Sequence, residues 1–213
     1  MKLKATIANL RLFNQSVFRD VTISFPASKE MIQSALRKIS IDGRENTEIL
    51  ITAYETDING LASRLSEYEN IDELNYLASR LSSLTPEEMC IFTAAVQHGE
   101  YSNNVQDLIN LTYNLDCFTL HPGVTDAETY GRLLLDEIED VDIPAIVKPY
   151  IDYEAYGEDA RINEGGEFTA FGYIVNNHSS SQHVYDGFSI PKEYAMFSYP
   201  FREFRPRLKE ASA

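Results

Sequence analysis

Hydrophobic and polar residues alternate in three short stretches near the start of the chain, at residues 3–7, 21–25 and 49–53. An alternation with a period of two is typical of strands that bury one face. Between the second and third stretches, apolar residues over 31–39 recur with helical spacing after a Pro-Ala-Ser segment. Residues 1–57 are therefore predicted to form a small α+β domain with a three-stranded sheet and a helix.

The hydrophobic period becomes helical in the next part of the chain. Apolar residues recur every three to four positions over 71–81, 89–96 and 105–109, which predicts one buried face on each of three helices. Residues 58–115 are therefore predicted to form a compact helical bundle.

Residues 116–175 combine both patterns. A strand-like stretch over 116–120 is followed by His-Pro-Gly, which is expected to break it, and residues 130–138 again have helical spacing. Residues 167–175 are predicted to form one strand. The predicted fold class is therefore α+β, as an elongated protein of three small domains, the third an α+β domain with a short sheet.

The end of the chain differs from the rest in composition. Residues 176–183 are a polar run typical of a linker, and residues 184–213 are rich in Tyr, Phe and Arg. Two interpretations of this extension stay open, a docking tail and a partly disordered segment. Its role is unknown from the sequence.

Composition excludes several classes of protein. No apolar stretch reaches the roughly 18 residues of a membrane span, and the first residues lack the apolar core of a signal peptide. The two cysteines, Cys90 and Cys117, are too few for the disulfide framework of a small secreted domain. The expected location is therefore the cytoplasm.

The negative charge of the chain is concentrated in its middle. The net charge is −15, yet residues 1–44 carry eight basic and three acidic residues, a net charge of +5. Residues 45–191 carry five basic and 27 acidic residues, a net charge of −22, and no Lys or Arg lies between Arg80 and Arg132. Such a segment repels nucleic acid and anionic membranes and attracts basic partners. Solubility alone is the alternative reason for this charge.

Some acidic residues have a local structural reason. Asn70, Thr85 and Thr125 are each followed three positions later by Glu, which is the capping-box pattern of a helix start. Acidic side chains there are stabilised by the positive end of the helix dipole. The residues of these three clusters are Asp72, Glu73, Glu87, Glu88, Asp126 and Glu128.

The acidic run over 136–142 has no such reason. It lies at the predicted C-terminal end of a helix, where carboxylates oppose the helix dipole, and a sequence that works against its own stability is a candidate for function. A solvated charged turn is the alternative. The run comprises Asp136, Glu137, Glu139, Asp140 and Asp142, and a second dense group follows with Asp152, Glu154, Glu158 and Asp159.

Carboxylates held on rigid elements can imitate the phosphates of duplex DNA, which carries one charge per roughly 3.4 Å along each strand. A protein of this kind would occupy the basic groove of a DNA-binding protein regardless of the sequence that the groove recognises. The candidate residues are those of the acidic clusters above together with Glu67, Glu69, Glu100, Asp107 and Asp116.

Enzymatic chemistry has little support in the sequence. Cys117 and His121 are the only cysteine and histidine close to zinc-ligand spacing, and no second pair complements them. Nucleotide-binding loops, nucleophile elbows and calcium loops are absent from the sequence. Carboxylate pairs for hydrolysis exist, but a chain with 33 acidic residues always supplies them. No catalytic residue, metal or cofactor is predicted.

One element resembles a known family. Tyr150-Ile-Asp-Tyr-Glu-Ala-Tyr-Gly157, followed by acidic residues and then a strand, is similar to the Y-I-D-Y-x-A-Y-G element of the ArdA antirestriction proteins. The segments Ile7-Ala-Asn-Leu10, Phe25-Pro26, Tyr54-Glu55 and Ile71-Asp-Glu-Leu-Asn75 are also similar to that family. The resemblance covers residues 3–175. The chain departs from the pattern at Glu158, where Arg is frequent in the family, and in the extension after Asn177.

The resemblance implies an elongated homodimer of three-domain chains that mimics bent DNA. It implies binding to the methyltransferase core of type I restriction-modification enzymes, with restriction blocked and modification blocked in some cases. An antirestriction motif is implied over residues 92–116, where it is associated with dimer contacts and activity. Two alternatives stay open: an acidic adaptor for another basic DNA-binding protein, and a metal-dependent hydrolase.

Overall fold

The structure, a computed structural model, describes residues 2–41, 48–138, 142–192 and 194–195. Within these residues the fold is α+β, as predicted, with two three-stranded antiparallel sheets. The chain divides into two compact units. Unit 1 comprises Met1–Ser83, Asn104–Gln106 and Tyr185–Ala213, and unit 2 comprises Leu84–Asn103 and Asp107–Val184. The boundaries of the three domains stay a prediction.

The sheet of unit 1 confirms the three strands and the helix predicted for residues 1–57. Strand β1 lies in the middle of the order β2-β1-β3, and its residues Leu3, Ala5 and Ile7 are fully buried because alternate side chains face the same side. Ser28 caps helix α2 by accepting a hydrogen bond from the backbone N–H of Met31. The elements are β1 (Leu3–Asn9), α1 (Leu10–Asn14), β2 (Asp20–Phe25), α2 (Lys29–Lys38) and β3 (Ile49–Thr56).

Three helices lie where the helical period predicts them. They are α3 (Ile71–Ser83), α4 (Pro86–His98) and α5 (Val105–Leu111). The capping box predicted at Thr85 and Glu88 is confirmed, since each side chain accepts a hydrogen bond from the backbone N–H of the other residue. Helix α3 belongs to unit 1 and helix α4 to unit 2.

Unit 2 contains the second sheet, in the order β4-β6-β5, and two helices that precede its last strands. Its apolar cluster is centred on Tyr130 and Tyr173, whose ring centroids are 3.9 Å apart, and both hydroxyls donate hydrogen bonds to Glu164. The elements are β4 (Phe118–Pro122), α6 (Ala127–Leu133), a π-helical turn (Leu134–Ile138), α7 (Tyr153–Glu164), β5 (Glu167–Thr169) and β6 (Gly172–Asn176).

Two strand predictions in this region are wrong. Residues 167–175 form a hairpin and not one strand, because the hydroxyl of Thr169 accepts a hydrogen bond from the N–H of Phe171 and donates one to the carbonyl of Gly172. Strand β4 also continues through His121 and Pro122, which pair with β6, although this is where a break was expected.

The polar segment after β6 has no regular secondary structure, but it is hydrogen-bonded to the rest of unit 2. The side-chain amide of Asn114 accepts a hydrogen bond from the backbone N–H of Gln182 and donates one to its carbonyl at 2.9 Å. Asn110 accepts a hydrogen bond from the N–H of Val184 at 2.9 Å.

None of the helices in the described part of the chain has the length and apolar character that a membrane span requires.

Candidate partner-binding surface

Helices α6 and α7 touch through two buried glycines. A Cβ atom at Gly157 would lie 1.9 Å from the carbonyl oxygen of Ala127, and one at Gly131 would lie 2.0 Å from the carbonyl oxygen of Tyr153. Since a side chain at either position would overlap the other helix, only glycine permits this approach. The contact fixes the acidic side chains of both helices on one scaffold.

The Tyr150–Gly157 element is therefore largely a structural element. Asp152 caps α7 by accepting a hydrogen bond from the N–H of Ala155, and Tyr153 is buried beneath Arg132, whose guanidinium lies 4.3 Å from the ring centroid. Gly157 makes the helix contact described above, whereas Tyr150 is 86% exposed. The element starts α7 and holds it against α6.

The start of α6 lies one residue later than the capping box predicts. Asp126, and not Thr125, is the capping residue, and its carboxylate accepts hydrogen bonds from the backbone N–H and the hydroxyl of Thr129. These hydrogen bonds hold the pKa of Asp126 below its ordinary value because they stabilise the ionised form. Asp126 is therefore an exposed carboxylate in a fixed position.

A shallow recess lies where the first turns of the two helices meet. Asp126, Glu128, Arg132 and Glu154 line it with Thr129 and Ala127, so three carboxylates surround one guanidinium. The side chains of Asp126, Glu128 and Glu154 are exposed. The recess presents negative charge to solvent and has no apolar floor suited to a small-molecule ligand.

Three of the predicted carboxylates form ion pairs within unit 2. Their partners are the three cations of the region, in the pairs Glu128–Arg132 and Glu158–Arg161, both 2.7 Å, and Asp136–Lys148. The hydrogen bond from Arg161 lowers the pKa of Glu158. Asp136 thus has a local partner that the sequence did not reveal, and a basic protein must compete with these cations for the three carboxylates.

The other predicted residues fall into three groups. Exposed side chains belong to Glu67, Glu87, Asp116, Asp142, Asp152 and Asp159, and Glu100 is exposed as well as hydrogen-bonded. Hydrogen bonds within the chain engage Glu69 with the N–H of Ser66, Glu73 with the hydroxyl of Tyr185, Glu88 with the N–H of Thr85, Glu100 with the amide of Asn176, and Asp107 with Asn103. Asp72 is only 3% exposed, so a partner cannot reach its carboxylate.

Two of the five acidic side chains in the run over 136–142, those of Asp136 and Asp142, are described by the structure. The backbone from Leu134 to Ile138 is helical, as the spacing of 130–138 predicts, and the Glu137 side chain lies outside the described part of the structure. Glu139 and Asp140 lie outside the described residues.

The His, Cys, Asp and Glu side chains of the described residues bear on metal and nucleophile chemistry. Among them, no three His, Cys, Asp or Glu side chains are grouped so that they could hold a metal ion. Cys117 is buried and its Sγ lies 3.6 Å from the carbonyl oxygen of Ser179. Burial raises the pKa of its thiol, which disfavours the reactive thiolate.

Comparison with known families decides what kind of protein carries this surface. The family model described as antirestriction protein (ArdA) matches residues 5–175, which is more than half of the 213 residues. The chain belongs to the ArdA family of antirestriction proteins. A comparison with curated proteins gave no match.

Membership in the ArdA family confirms the resemblance drawn from Tyr150–Gly157 and the accompanying segments. ArdA proteins act against restriction-modification enzymes and form a family of noncatalytic inhibitors. The family match ends at residue 175, so the segment from 176 onward lies outside it.

Sequence reasoning missed the ion-pairing role of the three cations. Arg132 follows Glu128 by four positions and Arg161 follows Glu158 by three, and both spacings place the side chains side by side on a helix. Those two pairs were therefore detectable in the sequence. Lys148 and Asp136 are 12 positions apart and are brought together only by the fold.

Proposed function

We propose that this ArdA-family protein inhibits type I restriction-modification enzymes as a DNA mimic, by occupying the DNA-binding groove of their methyltransferase core. The observation that carries the proposal is the net charge of −22 over residues 45–191 in a chain of an antirestriction family. A protein with this charge cannot compete for the DNA itself, which it repels, so the enzyme is the favoured partner.

The geometry of α6 and α7 supports a mimic built on a rigid scaffold. Asp126 and Asp152 are fixed by their capping hydrogen bonds, and Glu154 and Asp159 project from a helix that is held by the Gly131 and Gly157 contacts. Carboxylates in fixed positions lose little conformational entropy when Lys and Arg side chains of a partner bind them. In unit 2 the proposed partner surface comprises Glu87, Glu100, Asp116, Asp126, Glu128, Asp142, Asp152, Glu154, Glu158 and Asp159. Glu67, in unit 1, is a further exposed candidate.

The proposed surface also includes the acidic run over residues 136–142. Asp136, Glu137, Glu139 and Asp140 extend the charge next to Asp142, and Asp136 contributes once a partner cation replaces Lys148. We also propose that the chain forms a homodimer, as its resemblance to the family implies. Light scattering of the purified chain measures its oligomeric state directly.

A competition assay tests the proposal. Labelled duplexes with and without the recognition sequence are bound to a type I methyltransferase core, and the chain is then titrated in. Because a mimic matches charge and not bases, it should displace both duplexes completely, at concentrations that track the affinity of each duplex. A ternary complex in which the labelled DNA stays bound would contradict occupation of the groove.

A further inference from the structure

The C-terminal extension places two apolar anchors in unit 1. Tyr185 is 2% exposed and Ile190 is 8% exposed, whereas Phe188 between them is 78% exposed. Because this segment has no regular secondary structure, its two buried side chains, Tyr185 and Ile190, must be covered by the rest of unit 1. Residues 185–190 read Tyr-Asp-Gly-Phe-Ser-Ile.

Tyr185, the first anchor, is held through both its side chain and its backbone carbonyl. The Tyr185 hydroxyl donates a hydrogen bond to the carboxylate of Glu73 at 2.7 Å, and its ring meets Tyr76 edge-on, with centroids 5.6 Å apart. Its carbonyl accepts a hydrogen bond from the side-chain amide of Gln106 at 3.4 Å. Tyr76 also stacks on Tyr194, with centroids 4.5 Å apart. A phenol seated between a carboxylate and an aromatic ring is recognised by shape and by hydrogen bonding.

The residues that follow Tyr185 form a turn of their own. The carboxylate of Asp186 accepts hydrogen bonds from the N–H groups of Phe188 and Ser189, both at 2.8 Å, and Gly187 has a φ of +79°. A Cβ atom at Gly187 would lie 2.6 Å from Oε1 of Gln106. The turn therefore needs glycine for its left-handed backbone, whereas the overlap with the end of the flexible Gln106 side chain adds little.

The family match covers only one side of this contact. Glu73, Tyr76 and Gln106 lie within the family match over 5–175, and the extension lies outside it. We infer that Glu73, Tyr76 and Gln106 form a peptide-binding site for a Tyr-Asp-Gly-x-x-Ile segment, and that residues 185–190 of the same chain are its resident ligand. Recognition combines a backbone contact with two side-chain anchors, as in other peptide sites. This inference does not depend on the DNA-mimic proposal.

A labelled synthetic peptide of residues 181–195 tests the site on the full-length chain. The wild type should not bind it, because the tethered segment competes at an effective concentration on the order of millimolar. The Tyr185→Ala and Gly187→Ala chains, whose own segments fit poorly, should both bind it, at least tenfold more tightly than the wild type. Phe188→Ala, at an exposed position, is the matched control and should behave as the wild type.

Peptide variants complete the test. A peptide with Tyr185→Ala or Gly187→Ala should not bind any of the chains, since the ligand has then lost the same features. The inference would be overturned if neither the Tyr185→Ala chain nor the Gly187→Ala chain bound the wild-type peptide at about 1 mM, which is the effective concentration of the tethered segment. Equal binding of the peptide to the wild-type chain and to these two variants would also overturn the inference, because the peptide would then bind elsewhere.

Discussion

Single residues in unit 2 decide whether the acidic helices are held in place. Gly157 and Gly131 allow two helix backbones to touch, and Asp126 and Asp152 fix the helix starts. Glu128 on α6 and Glu154, Glu158 and Asp159 on α7 depend on these four positions for their placement. Substitutions that destabilise the protein at these positions should therefore also weaken inhibition. Gly157→Ala tests a steric effect, and Asp126→Ala tests an electrostatic one.

Gly157→Ala tests the steric contact. The added methyl group would overlap the carbonyl oxygen of Ala127, which is backbone and cannot move without shifting α6. We expect the free energy of unfolding to fall by about 1–3 kcal/mol, the usual cost of overpacking. Urea denaturation measures it, with Asp159→Ala on the exposed side of the same helix as the control. Equal stability of the two variants would show that α6 and α7 do not touch at Gly157.

Asp126→Ala tests the cap through its pH dependence. The pKa of Asp126 is lowered in the folded protein, so its carboxylate stabilises the fold above the ordinary pKa of 3.8, and this contribution is lost as the pH falls through the lowered value. The urea midpoint of the variant should be below that of the wild type at pH 7, and the difference should shrink below pH 3.8. A difference that is the same at both pH values would exclude the carboxylate as its source.

At the scale of elements, α7 offers the most direct test of the acidic surface. Glu154 and Asp159 are exposed on this helix, and neither is its capping residue. Replacing both (Glu154→Gln with Asp159→Asn) should leave folding unchanged. Affinity for the methyltransferase core should fall, with the slope of log affinity against log salt reduced by about 1–2, since each lost charge contributes about 0.9.

The matched control for this pair lies in unit 1. Asp20→Asn with Glu48→Gln removes the same number of negative charges from exposed positions outside the proposed surface. The control should leave the affinity close to that of the wild type. If both pairs weaken binding equally, only the total charge matters and α7 has no special role.

The elements that could be predicted from sequence are those with a strong hydrophobic period. The three strands of residues 1–57 and helices α3 to α5 follow from their alternation and spacing. The β5–β6 hairpin could not be predicted, because its turn at Ala170 and Phe171 is closed by the Thr169 side chain and lacks the usual turn residues before Gly172. The predicted start of α6 was one residue too early because Thr125 and Asp126 are both good capping residues.

The candidate surface was only partly predictable for a related reason. Charge along the chain indicates where carboxylates are dense, but burial and internal partners depend on the fold. Asp72 is buried at the first turn of α3, and Glu73 is engaged by Tyr185 from a distant part of the sequence. Neither fact follows from the local sequence pattern.

At the scale of the whole molecule, negative charge is concentrated in the middle of the chain. Residues 45–191 carry the net charge of −22, and the two ends of the chain are slightly basic. Binding driven by such a field depends on the release of counterions, as DNA binding does. The salt dependence of binding therefore reports directly on the mechanism.

The most direct test measures the affinity of the chain for a type I methyltransferase core between about 50 and 200 mM salt, beside duplex DNA as the reference. A mimic that replaces several phosphates should lose on the order of a thousandfold in affinity over this range, with a slope close to that of DNA. An affinity that does not change with salt, or no binding at all, would contradict the proposal that carboxylates of this chain take the place of DNA phosphates.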